Sequence, residues 1–157
     1  MGLFSRAASG LLLFSLFCSC KDEYTICDVN TTVAEKIGFY HLAGGIEQVA
    51  YAPSFTFQIP GAASPIYSAL RNISKFTLPL NPLLDSAKYQ ISINSGASFD
   101  TITFVYSSQT RVINPQCGNI YVFNLARVSV TKHHLDSARI INHDINNVSG
   151  ENVKIYF

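Results

Sequence analysis

The tightest constraint on this chain is an apolar–polar alternation of period two. In Lys88 to Asn94 (KYQISIN), Tyr89, Ile91 and Ile93 fall on one face of an extended strand, and in Asp100 to Ser107 (DTITFVYS), Ile102, Phe104 and Tyr106 do the same. Ser54 to Ile59 (SFTFQI) repeats the pattern. Asn119 to Thr131 (NIYVFNLARVSVT) carries it furthest, with a bend or bulge expected near Asn124. No longer stretch combines a helical period with capping residues, so helices are not expected.

The remaining segments read as shorter strands: Val33 to His41, Ile46 to Tyr51, Gln109 to Ile113 after a tight connection, and Glu151 to Phe157. Ser74 to Leu80 contains Pro79, which lacks the amide a central strand needs, and is expected at a sheet edge. Ile66 to Leu70 reads as a short strand or a turn. His134 to Asn142 is ambiguous, and His143 to Asn147 reads as a polar turn. Short strands punctuated by Gly, Pro and Asn predict an all-β fold, a single antiparallel β-sandwich or barrel-like domain. The sparse charge (13%) and frequent aromatics (12%) suit strands, and the 157 residues suit one domain.

The first residues have a different character. Arg6 precedes an apolar run from Leu11 to Phe17, too short to cross a bilayer and suited to a secretory signal. The run ends at Phe17-Cys18-Ser19-Cys20. A small residue before a cysteine at this place resembles the lipobox of bacterial lipoproteins, which implies cleavage before Cys20 and acyl chains on it. Cys18 follows the bulky Phe17 and fits that role poorly. Lys21-Asp22-Glu23 resembles the export signal of Bacteroidota lipoproteins, which implies the outer face of the outer membrane. The alternative is a solvated tether on the periplasmic leaflet. The expected organisation is a signal over 1–19, a lipidated tether over 20–32 and an all-β domain over 33–157.

Two cysteines then remain, Cys27 and Cys117. In an oxidising envelope such a pair reads first as a disulfide, with two free buried thiols as the alternative. It would close a loop of about 90 residues, worth roughly 4–5 kcal/mol on a chain-entropy estimate. Without Arg6 the ten acidic and ten basic residues balance. A neutral chain offers nothing electrostatic to nucleic acid, and none is expected as a partner.

The lipobox, Tyr24 to Asp28, Phe39-Tyr40, Phe76 to Asn81 and Cys117-Gly118 together resemble a family of small uncharacterised Bacteroidota lipoproteins. That resemblance implies an envelope location and brings no activity, ligand or catalytic residue. It adds to the case for pairing Cys27 with Cys117.

Asp85-Ser86-Ala87, Asp100-Thr101-Ile102 and Asp136-Ser137-Ala138 are similar to the O-glycosylation acceptor motif of Bacteroidota envelope proteins. Ser86, Thr101 and Ser137 would be the acceptors, with Ser86 favoured because Asn81-Pro82 predicts an exposed loop around it. His133, His134, Asp136, His143 and Asp144 invite a metal reading. Only His134 and Asp136 would share a strand face, too few for a zinc site, so no metal or cofactor is expected. No nucleophile elbow is present, and nothing marks a catalytic carboxylate pair. The expectation is a non-enzymatic binding or accessory module anchored in the outer membrane, with an outer-membrane protein or a glycan as partner. The alternatives are a purely structural lipoprotein or a carbohydrate-active enzyme.

Overall fold

The computed structural model describes residues 27–95 and 98–157. Eleven strands follow one another among these residues: β1 Glu35–Ala43, β2 Ile46–Val49, β3 Phe55–Gln58, β4 Tyr67–Leu70, β5 Lys75–Leu78, β6 Ser86–Ser92, β7 Asp100–Asn114, β8 Gly118–Val130, β9 Ser137–Ile140, β10 Asp144–Ile145 and β11 Val153–Tyr156. They form two sheets. The larger has the order β10-β8-β7-β6-β3-β4 and is antiparallel throughout. The smaller has the order β2-β1-β11-β9, with β5 also paired to β1.

One core lies between the sheets. The expected alternation places Tyr89, Ile91, Ile93, Ile102, Phe104 and Tyr106 inward from the large sheet. They meet Ile37, Phe39, Phe76, Leu78, Val153 and Ile155 from the small one. Phenylalanines knit the two together: Phe55 and Phe76 rings are 4.7 Å apart, Phe57 and Phe76 5.2 Å, and Phe39 and Phe55 5.6 Å in an edge-to-face contact. Such pairs add about 0.5–1.5 kcal/mol each beyond the area they bury.

The all-β architecture follows the sequence, and the details depart from it in places. Not every pair is antiparallel: β1 and β11 run parallel, Ile37 opposite Val153 and Phe39 opposite Ile155. Gln109 to Ile113 is not a separate strand. β7 runs on through it, and Val112 pairs with Asn119 across a hairpin closed at Gly118. The bulge expected near Asn124 is present in β8, at Ala126, which is skipped where Val105 faces Arg127 and Tyr106 faces Leu125. Asp144 and Ile145 form a short strand rather than a polar turn, because Ile145 is fully buried and pairs with Phe123. Ser86 opens β6 instead of lying in a loop. β5 does lie at an edge, with β1 as its sole strand partner among the described residues. Gly44 and Gly45 both have positive φ (59° and 81°), the backbone a two-residue hairpin turn between β1 and β2 requires.

Cys27 and Cys117 are joined by a disulfide, with Cα atoms 5.0 Å apart. Asn30 and Asn147 exchange side-chain-to-backbone hydrogen bonds of 2.8 and 3.4 Å, so residues 27–32 are fastened along the domain.

Candidate functional site

Two features on the small sheet adjoin each other. The first is a cleft of about 560 Å³ where the edges of the two sheets, β4 and β5, lie side by side. Ile37, Tyr67, Leu70, Ile73 and Phe76 supply an apolar floor, and Lys36, Lys75 and Glu151 supply charge. The volume is in the range of small-ligand sites. Tyr67 Oη donates to the Thr77 carbonyl at 2.7 Å and ties the two edges together.

The wall of the cleft is strained. Ala69 and Asn72 both adopt left-handed backbone, φ 47° and 53°. Asparagine tolerates this region, whereas alanine there costs about 1–2 kcal/mol. The cause is a bulge: Phe55 pairs with Leu70 and Phe57 with Tyr67, so Ser68 and Ala69 share Thr56 as their counterpart. Thr56 Oγ1 accepts from the Ala69 amide at 3.2 Å. The bulge lets Leu70 and Tyr67 both line the cleft.

The second feature is a charged and aromatic cluster on the outer face. Tyr40 Oη donates to the Glu151 carboxylate at 3.0–3.1 Å. Tyr156 Oη donates to Glu47 at 2.6 Å, and Lys154 and Arg139 pair with the same carboxylate. Lys154 Nζ sits 4.3 Å above the Tyr40 ring centre, a cation–π contact. The register brings these residues together, since Gly38 faces Lys154, Tyr40 faces Tyr156, and Lys154 faces Arg139. Hydrogen bonds from Lys154 and then Tyr156 hold the Glu47 carboxyl below its ordinary range. Burial, and then the Glu151 hydrogen bond, push the Tyr40 hydroxyl up to about 12. Tyrosines raised in this way keep their protons at neutral pH and donate them in the hydrogen bonds to Glu151 and Glu47.

The glycosylation-like motifs fall in three surroundings. Ser86 is exposed, its hydroxyl 3.2 Å from Asp85 Oδ1, and Ser137 is exposed on β9. Thr101 is half-buried, and the Asp100 of its motif is committed elsewhere. Asp100 accepts from the Thr131 hydroxyl at 2.7 Å and from the amides of His133, His134 and Leu135 at 2.8–3.1 Å. Burial acts to raise its pKa, and these four donors outweigh burial and hold it below the usual value.

The expected pairing of His134 and Asp136 on one strand face does not form, because residues 131–136 wrap the Asp100 carboxylate instead of extending. His134 Nε2 lies 3.3 Å from Ser98 Oγ, and His143 Nδ1 meets the Leu125 carbonyl. Asp144 accepts from Asn124 at 2.9 Å. Among the described residues no three His, Cys, Asp or Glu side chains converge as a metal site would require. The lipidation and export residues Cys20, Lys21, Asp22 and Glu23, and the signal over 1–19, lie outside the described residues.

Sequence reasoning missed the buried Glu35. It lies between Val33 and Ile37 on the same inward face, is fully buried, and neither carboxyl oxygen has a hydrogen-bond partner among the described residues. The period-two pattern of β1 itself was the available signal, since it placed residue 35 beside Ile37 and Phe39.

Residues 55–157 match the model of DUF6452, a family of unknown function. The matched span starts at β3 and leaves out β1 and β2. No curated protein and no solved structure matches the chain.

Proposed function

The chain belongs to the DUF6452 family of unknown function, and from that premise we propose that it is a non-enzymatic binding or accessory module of the Bacteroidota envelope, held in the outer membrane by acyl chains on Cys20. The cleft between β4 and β5 carries this reading. It is of ligand size, has an apolar floor and a charged rim, and lies between two edge strands, β4 and β5, each with one strand partner among the described residues, where an extended partner segment can dock. Its neighbour, the Tyr40–Tyr156 cluster, offers hydroxyl, carboxylate and cationic groups that suit a polar partner such as a glycan or a protein loop. Lys21-Asp22-Glu23 supports display on the cell surface.

Three observations test the reading together. Cys20→Ala releases the protein from membranes, and retention after carbonate and salt washing overturns the lipid anchor. Protease applied to intact cells removes the domain, and full protection overturns surface display. Crosslinking in native membranes captures a defined partner that the paired substitutions Leu70→Glu and Lys75→Glu abolish. Capture unchanged by those substitutions overturns the cleft as the binding site.

A further inference from the structure

Leu83 and Leu84 are 86% and 51% exposed, on a turn that is firmly held. The Leu83 amide donates to Asn81 Oδ1 at 2.9 Å and the Leu84 amide to the Asn81 carbonyl at 3.2 Å. Three further bonds fasten the turn to β7: Tyr106 Oη to the Asn81 carbonyl at 3.1 Å, Ser108 Oγ to the Pro82 carbonyl at 2.7 Å, and the Tyr106 amide to the Asp85 carbonyl at 2.9 Å. A braced turn that presents two leucines to water marks an interaction surface.

Its place in the fold identifies what covers it. Pro82 lines a cavity of about 390 Å³ together with Cys117, Tyr121 and Thr31, so the leucines stand at the end of the domain where the disulfide holds Cys27. Val112 and Tyr121, 69% and 49% exposed, belong to the hairpin at that end. Only residues 21–26 separate Cys27 from Cys20. Seven Cα-to-Cα steps reach at most about 25 Å even fully extended. The disulfide makes the β7–β8 turn the point where the tether leaves the domain. The β1–β2 turn lies at the far end of β1, about 30 Å away at roughly 3.3 Å per residue.

We propose that the Leu83–Leu84 turn rests on the lipid bilayer, with both leucines at the boundary between headgroups and acyl chains and the Tyr121 ring at headgroup level. This inference rests on the lipid anchor at Cys20. The charged side chains nearby, Asp28, Asp85 and Arg111, carry mixed sign, so apolar burial and not charge drives the contact.

The chain has no tryptophan, so Leu83→Trp and Leu42→Trp each introduce a single indole, the second beside the β1–β2 turn. The full lipidated protein is incorporated into phosphatidylcholine vesicles with and without brominated acyl chains. The Leu83→Trp indole is expected to emit at shorter wavelength than in the released Cys20→Ala form and to lose most of its emission to brominated lipid. The Leu42→Trp indole is expected to do neither. Protein that fails to float with vesicles overturns the anchor, and this inference with it. Protein that floats while the Leu83→Trp indole emits as in water overturns the orientation alone. A blue shift that brominated lipid does not quench also overturns it, and shows the turn covered by a second copy or another protein.

Discussion

The carboxylate of Glu151 occupies the space that a side chain at Gly38 would need. A Cβ at position 38 would collide with Glu151 Oε2 and Cδ and with the edge of the Tyr40 ring. The glycine in the middle of β1 therefore makes room for the Tyr40–Glu151 hydrogen bond that joins the outer cluster to the cleft. Gly38→Ala is expected to displace Glu151 and destabilise the domain by about 1 kcal/mol. The cost should be smaller in a Glu151→Ala background, where only the Tyr40 ring is left to collide. Urea unfolding of the four proteins of that cycle gives the coupling, and equal costs in both backgrounds would refute it.

Glu35 makes stability fall as pH rises. Burial lifts its carboxyl from the ordinary 4.5 to about 8, so between those values the folded state keeps a proton that the unfolded chain has lost. Its unfavourable contribution is absent below about pH 4.5, grows through the window and levels off above about pH 8, reaching on the order of 5 kcal/mol. Relative to wild type, Glu35→Leu should gain stability steadily from pH 5 to pH 8. A difference that stays flat across that range would show that Glu35 is not the titrating group.

Asp100 works in the opposite direction. Its carboxyl lies below the ordinary 3.8, so the stability it contributes is present above that value and is lost as pH falls through the folded-state pKa. Asp100→Ala leaves the Thr131 hydroxyl and three amides without their acceptor, at a cost of about 3 kcal/mol near neutral pH. The gap between wild type and variant should narrow in strong acid. Acid titration of both by circular dichroism checks this, and parallel curves down to pH 2 would contradict it.

The disulfide closes a long loop. Replacing Cys27 and Cys117 together with Ser is expected to cost about 2–5 kcal/mol, read as a lower urea midpoint with a steeper slope, because the unlinked denatured chain exposes more surface. Thiol labelling of the unreduced, denatured protein should find neither sulfur free. Labelling at both positions would remove the bond.

The three glycosylation-like motifs are not equivalent. Ser86 and Ser137 are open to a transferase, whereas Thr101 is half-buried beside a carboxylate already engaged by four donors. Mass spectrometry of protein from native membranes is expected to find any glycan at Ser86 or Ser137. Occupancy at Thr101 alone would contradict the accessibility argument.

Period-two alternation by itself determined which residues of β6 and of β7 as far as Tyr106 face the core, because a pleated strand has two faces and only one can be dry; in β8 the bulge at Ala126 shifts the register, and tertiary pairing decided the face. Pro79 likewise marked the β5 edge through its missing amide. Local pattern has no access to pairing between distant segments, and those contacts decided the rest. The parallel register of β1 and β11 set Tyr40 beside Tyr156 and Glu47 within reach of Lys154, more than 100 residues apart in sequence. The bulge at Ala69 shaped the cleft through a strand that its own sequence left undecided. Burial of Glu35 followed from packing of the two sheets, since a glutamate on an inward face gives no local sign of whether its end of the strand will be covered.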